Sequence, residues 1–286
     1  MLHSPLASPS ATKEVLDAFG LRLTKRLGQH FLVDDGVLGR MLEMAQVAED
    51  DVVLEVGPGI GTLTLALLER ARQVVAIERD ARFIPVLESV TGVRTGLVLV
   101  RADAMRVDLG RPLEGLQPTK LVSNLPYEVA ATVVLRAFES RAAIDSATVM
   151  VQAEVAERMR AAPGSKDYGA YSVKLQLRAR VAGRFSVSRS VFMPPPRVDS
   201  AAVRLERRSD VAPGDVESAS VVADAAFSQR RKTLRNSLSS GLSVGPDIVS
   251  TAVAEAGFDP GMRAEDVEPE GFVELGRKFR EFGLLP

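Results

Sequence analysis

Val52-Val53-Leu54-Glu55-Val56 is a strand-forming run that ends directly in Gly57-Pro58-Gly59-Ile60-Gly61, and Leu63, Leu65, Leu67 and Leu68 then open a helix-like segment from Thr62 to Ala71. A strand that turns sharply through glycines into a helix is the building unit of doubly wound sheets, with the turn at the edge where such sheets hold nucleotide-like ligands. Val74 to Ile77, Leu97 to Val100, Leu121 to Ser123 and Thr148 to Val151 are further strand-like runs. Between them, Ala81 to Val90 and Val129 to Glu139 carry apolar residues three and four apart. Strands alternating with helices predict an α/β fold whose helices cover the sheet faces.

A different texture follows. Tyr171 to Val181 and Ala201 to Leu205 read as strands separated by Met193-Pro194-Pro195-Pro196, which predicts an antiparallel pair closing one sheet edge around a proline-rich loop. Beyond Arg208, the polar stretch Ser209 to Ala219, with Pro213 and Gly214, reads as a linker. Val221 to Leu238, Pro246 to Ala256 and Gly271 to Phe282 then have helical spacing. The expected organisation is a flexible tail and lead-in over 1–24, a Rossmann-like domain over 25–208, a linker over 209–219 and a small all-helical domain over 220–286. A chain of 286 residues exceeds the commonest size of a single domain, in keeping with that division.

With no cysteine among its residues, the chain can form neither disulfides nor thiolate metal sites. Its two histidines, His3 and His30, stand apart from any ligand cluster, so no metal is expected. Met1 to Thr12 is rich in Ser, Pro and Ala and lacks the charged and apolar regions of a signal peptide. No run approaches the ~20 apolar residues of a membrane span. A soluble cytoplasmic protein with a loose N-terminal tail is the reading. The formal net charge of −1 argues against a protein that coats nucleic acid indiscriminately.

Glycines at 57, 59 and 61 suit a turn that a ligand must approach closely. The dinucleotide fingerprint wants a further glycine where this chain has Thr62, so the spacing fits S-adenosylmethionine better than NAD. A bare strand-to-helix turn would look the same, but Glu78 ends the next strand about twenty residues on, where an acid can accept ribose hydroxyls. Asp103, in Arg101-Ala102-Asp103-Ala104-Met105, holds the corresponding place after the third strand and could accept the adenine amine.

Asn124-Leu125-Pro126-Tyr127 follows Leu121-Val122-Ser123. Asn and Pro are ordinary turn formers, but these residues also bring an amide oxygen, a stiffened backbone and an aromatic face to the ligand end of the sheet. The exocyclic amine of adenine is a poor nucleophile because its lone pair is delocalised into the ring. The Asn124 side-chain oxygen and the Leu125 carbonyl can each accept one of its N–H groups and aim the lone pair, while Tyr127 stacks on the extruded base.

With these motifs in place, the chain resembles the ribosomal RNA adenine N6,N6-dimethyltransferases of the KsgA family from about Lys25 to its end. Gly28-Gln29-His30-Phe31-Leu32, the glycine turn, Glu78, Asp103-Ala104 and Asn124-Leu125-Pro126-Tyr127 match its landmarks in order. So do Val151 to Arg158, Tyr168-Gly169, Val191-Phe192 through Ser200, and Phe227 through Asn236. The resemblance implies a Rossmann-like S-adenosylmethionine-dependent methyltransferase domain with a small C-terminal all-helical domain. It implies cofactor contacts at His30, Leu32, Gly57, Gly59, Gly61, Glu78, Asp103, Ala104 and Asn124. Asn124, Leu125, Tyr127 and Phe192 would serve the target base, with Phe192 as a second aromatic. His30 stands where the family usually has Asn, and Glu128 where Asn usually follows the Tyr.

Tyr171 to Arg208 carries nine Lys or Arg against two acids, and no acid occurs between Asp224 and Asp247, a window holding Arg230, Arg231, Lys232 and Arg235. Those four are expected to meet RNA phosphates; a solvated helix face is the plainer alternative. The function implied is dimethylation of N6 of two adjacent adenosines in a hairpin loop near the 3′ end of 16S ribosomal RNA, within a partly assembled 30S particle, by a monomer. The rivals are a resistance methyltransferase of large-subunit ribosomal RNA and a non-catalytic ribosome-assembly factor.

Overall fold

The computed structural model describes residues 2–21, 29–92, 94–109, 113–139 and 143–285. Lys25 and Gly28 lie outside them. The chain divides into two compact units, Met1–Ala156 with Val181–Glu206, and Glu157–Arg180 with Arg207–Pro286.

The first unit is built on a sheet of β2 (Val52–Val56), β3 (Gln73–Glu78), β4 (Leu97–Arg101), β5 (Lys120–Asn124), β6 (Ser146–Gln152), β7 (Ala179–Val187) and β9 (Ser200–Arg207). Their order is β4-β3-β2-β5-β6-β9-β7. β2 through β6 pair in parallel, with Leu54 opposite Val75 on one side and Leu121 on the other; β9 joins antiparallel to β6. β1 (Phe31–Leu32) and β8 (Phe192–Met193) form a separate antiparallel pair, Phe31 opposite Met193. Every residue of β2 is buried, and strands covered on both faces read as unbroken apolar runs. This is why β2, β3, β5 and β6 are legible in the sequence, whereas β4 is only half-buried. Chain order reverses between β2 and β5, so the carboxyl ends of these strands flank the crevice where open α/β sheets take ligands.

α2 (Asp35–Ala45), α3 (Thr62–Leu68), α4 (Ile84–Thr91) and α5 (Ala130–Ala137) belong to this unit. Leu38, Met41 and Leu42 of α2 share a core with Val53, Leu63, Val122 and Met150. Within the expected flexible tail and lead-in, residues 9–18 instead form a packed helix. α1 (Pro9–Ala18) is capped by the Ser8 hydroxyl with Pro9 in its first turn, a helix-start signal hidden in a Ser/Pro-rich stretch. Leu16 of α1 packs with Phe31, Ile60 and Phe83.

The second unit is helical, and three sequence expectations change there. Tyr171 to Val181 is not one strand: α7 (Ala170–Gln176), which follows α6 (Ala153–Arg160), precedes β7. Val173, Leu175 and Leu177, all buried, are two residues apart and imitate strand alternation. The expected linker 209–219 is largely helix, because Pro213 and Gly214 open α8 (Pro213–Phe227) with Asp215 in its first turn, and Pro suits the first helical turn. Val221 to Leu238 is two helices, α8 and α9 (Leu234–Leu242), the second capped by Thr233. α10 (Pro246–Glu255) and α11 (Pro269–Glu281) lie close to expectation. Tyr168, from a segment expected in the Rossmann-like domain, is buried in this unit's core, its hydroxyl donating to the Val267 carbonyl at 2.7 Å.

Candidate active site

The carboxyl ends of β2, β3 and β5 and the segment after β4 meet around one cavity, whose wall includes His30, Leu32, Gly57, Gly59, Glu78, Asp103, Ala104, Asn124, Leu125 and Tyr127. Gly61 and Phe192, expected in the same site, are not in this wall. Gly61 has φ +90° at the start of α3, and a Cβ there would meet Val90 at 3.1 Å and Leu87 at 3.2 Å. The missing Cβ leaves room for α4. Phe192 is 2% exposed and lies in the core with Leu38 and Met41, because its pairing with Leu32 through β1 and β8 turns it inward.

Gly57 and Gly59 hold φ of +73° and +57°, a region that penalises a Cβ. The missing Cβ atoms also make room for protein: one at Gly57 would lie 3.0 Å from Pro126 Cγ, one at Gly59 2.9 Å from Phe31 Cε1. The turn is therefore interlocked with the Asn124 tetrapeptide and with β1. Glu78 secures it from the next strand. Its Oε2 accepts the Gly59 N–H at 3.2 Å and its Oε1 the Asp80 N–H at 2.7 Å, leaving carboxylate lone pairs for further donors. Burial, at 7% exposure, pushes its pKa above the ordinary carboxylate value against the pull of those N–H groups.

Asp103 accepts the Met105 N–H at 2.9 Å, and its other oxygen is 3.8 Å from Arg79. Ala104 is fixed by its carbonyl, which accepts from Arg136 at 2.8 Å. Asn124, at the end of β5, donates from Nδ2 to the His30 carbonyl at 3.1 Å, so its Oδ1 is the atom left free to accept. Leu125 is buried, its N–H bonded to the Met150 carbonyl at 3.1 Å. The Tyr127 hydroxyl lies 2.7 Å from Ser200 Oγ, and its ring stacks on His30 at 5.4 Å between centroids. Burial raises the Tyr127 pKa, so the phenol stays neutral. Glu128 is exposed at the cavity wall, two residues ahead of α5.

Sequence reasoning passed over Glu55 and Thr62, both in the cavity wall. Glu55 is 1% exposed, accepts from Thr64 Oγ1 at 2.7 Å, and burial pushes its pKa up to about 8. A lone acid inside the apolar run of β2 was the signal. Thr62 has a buried hydroxyl with no hydrogen-bond partner, a group that a ligand's polar atom would satisfy.

In the second unit, Arg230, Arg231 and Lys232 lie in the turn between α8 and α9 rather than on a helix. The acid-free window of sequence is not acid-free in space. Arg230 pairs with Glu265 at 3.0 Å and donates to the Ser165 carbonyl at 3.1 Å, and Arg235 pairs with Asp247 at 3.0 Å. Arg231 and Lys232 are exposed, with no acidic partner among the described residues.

Residues 20–279 match the family model of ribosomal RNA adenine dimethylase. The ribosomal RNA small subunit methyltransferase A of Streptomyces coelicolor is 43% identical over 277 residues, 94% of this chain and 96% of the relative. Its namesake from Lachnoclostridium phytofermentans is 40% identical over 279 residues, with the same coverage. Among solved structures, a dimethyladenosine transferase from Plasmodium falciparum shares the fold at a TM-score of 0.75, with 24% identity over 89% of this chain and 98% of its own. The 23S rRNA methyltransferase ErmE aligns at a TM-score of 0.63 with 27% identity, over 87% of this chain and 99% of its own. Because the family match takes in nearly all of both compact units, the chain belongs, over almost its whole length, to the ribosomal RNA adenine dimethylase family.

Proposed function

We propose that this chain is an S-adenosylmethionine-dependent enzyme that dimethylates N6 of two adjacent adenosines in a hairpin loop near the 3′ end of small-subunit ribosomal RNA, acting as a cytoplasmic monomer on a partly assembled 30S particle. The observation that carries the reading is the orientation of Asn124. Its Nδ2 is committed to the His30 carbonyl at 3.1 Å, so Oδ1 remains as an acceptor in the cavity wall beside Leu125 and Tyr127.

The cavity residues fit the cofactor. Glu78 would accept ribose hydroxyls, Asp103 the adenine amine, and the orphaned Thr62 hydroxyl would gain a partner. When bound, S-adenosylmethionine supplies an electrophilic methyl group on sulfur. Asn124 Oδ1 and the Leu125 carbonyl each accept one N–H of the target amine and draw its lone pair out of ring conjugation, while Tyr127 stacks on the base. Positioning of this kind supplies roughly 7–11 kcal/mol of a barrier. After the first transfer the amine has given one proton to solvent and keeps one N–H, so a single acceptor suffices to orient it for the second.

Identities of 40–43% to small-subunit enzymes against 27% to ErmE favour the small-subunit substrate. The test is mass mapping of methylated adenosines in both ribosomal RNAs with and without the gene. Loss of two adjacent N6,N6-dimethyladenosines from the small-subunit RNA is expected; loss from the large-subunit RNA, or no loss, would overturn the reading.

A further inference from the structure

His30 touches the site in three ways. Its backbone carbonyl accepts the Asn124 amide at 3.1 Å. Its ring stacks on Tyr127, centroids 5.4 Å apart and planes 28° from parallel. Its Nδ1 lies 2.7 Å from the Pro194 carbonyl oxygen. A carbonyl only accepts, so Nδ1 carries a proton, and in the neutral ring Nε2 does not. Tyr127 is anchored to the same stretch of chain through Ser200 Oγ at 2.7 Å. The segment from Pro194 to Ser200 thus holds one ring at each of its ends, and the two rings back each other.

From this arrangement we infer that His30 is a positioning residue for the target base: its imidazole, clamped by the Pro194 carbonyl, covers one face of Tyr127 and keeps the other face presented to the flipped-out adenine. The inference deepens the proposed function and rests on Tyr127 as the stacking surface. An unsupported tyrosine side chain turns about two torsions, and each extra rotamer lowers the share of molecules ready to receive a base. A stacked partner held by its own hydrogen bond removes that freedom before the base arrives, and a near-parallel aromatic pair at this spacing is an attractive one. Because the Asn124 contact uses the backbone carbonyl of residue 30, replacing the imidazole separates the platform from the amine grip.

The first measurement is the tautomer, by nitrogen-15 NMR of the full-length protein labelled at histidine, which has two histidines. Arg70 Nη2 lies 2.9 Å from His3 Nδ1 and can only donate, so His3 carries its proton on Nε2 and His30 the reverse. A His30 ring protonated on Nε2 alone would remove the clamp. The second uses a target-loop RNA hairpin with 2-aminopurine at the first target position, whose fluorescence falls on stacking, together with kcat for methyl transfer to small-subunit particles and cofactor affinity by calorimetry. His30→Ala should lose most of the quenching and, at saturating cofactor, about tenfold or more in kcat, the scale of a misplaced reactant. His30→Phe keeps an aromatic face but lacks the hydrogen bond to the Pro194 carbonyl, and should recover part of both losses.

Parent-like quenching and kcat in His30→Ala would overturn the inference. So would tighter base binding, which would mean that His30 occupies the base's own place, or a loss confined to cofactor affinity. Thermal unfolding controls for folding of each variant. A parent protein that methylates no particle would count against the proposed function, while the tautomer and the quenching would still decide the role of His30.

Discussion

Glu55 and Glu78 show how one residue type takes different work from its surroundings. Glu55, 1% exposed in β2 and part of the cavity wall, has its pKa pushed by burial up to about 8 from an ordinary 4.5, so the folded protein holds a proton there that the unfolded chain gives up above about pH 4.5. Its contribution to stability is therefore fully present below that value and is lost as pH rises towards 8. Glu55→Gln, neutral at every pH, should flatten that decline: thermal unfolding at pH 5 and pH 8 should show the variant gaining on the parent at the higher pH. Glu78, at the cavity, is expected to serve the cofactor. Glu78→Gln keeps one acceptor for the turn but loses the charge, and a hydrogen bond to a charged group contributes roughly 1.5–3 kcal/mol. Calorimetry should show the dissociation constant for S-adenosylmethionine rising by about tenfold or more. Asn124→Ala should instead leave that constant within a few-fold and lower the single-turnover rate by ~10²-fold or more, because the lost contact is mainly to the amine.

Elements were legible in proportion to how far local pattern decided them. β2, β3, β5 and β6 announced themselves because burial on both faces leaves no polar alternation to misread. α7 carries a strand-like pattern and the start of α8 a linker-like one, because short helices with mixed faces have no clear period and Pro-Gly serves equally as a breaker and as a first helical turn. Helix packing in the second unit adds a constraint that no period reveals. A Cβ at Gly276 of α11 would lie 2.8 Å from the backbone nitrogen of Ala219 in α8, and one at Gly241 of α9 would lie 2.8 Å from Ala225. Gly→Ala in a helix ordinarily stabilises by roughly 0.5–1 kcal/mol. At Gly276 the sign should reverse, because the neighbour is backbone and cannot give way. Gly276→Ala is expected to lower the melting temperature by several degrees, each 1 kcal/mol shifting it by roughly 2–4 °C at this size.

Over the whole molecule, a net charge of −1 hides local structure on which RNA binding would depend. With Arg230 and Arg235 paired to acids, Arg231 and Lys232, which have no acidic partner among the described residues, are the better candidates for phosphate contacts. Arg231→Gln with Lys232→Gln should weaken binding to small-subunit RNA and flatten its dependence on log salt by up to about 1.4–1.8 units, at roughly 0.7–0.9 per phosphate. A folded double variant with the parent's affinity and slope would return the pair to a solvated surface. The sequence by itself determined the α/β class, the glycine turn, the acids Glu78 and Asp103 at strand ends, and the Asn124 tetrapeptide, since each follows from short-range rules of burial, turn geometry and spacing. Only the tertiary structure decided that Phe192 faces the core, that Glu265 and Asp247 reach Arg230 and Arg235, that residues 157–180 join the helical unit, and that His30 backs Tyr127. Those outcomes depend on contacts between residues far apart in the chain, set by how the elements pack, and no local pattern carries them.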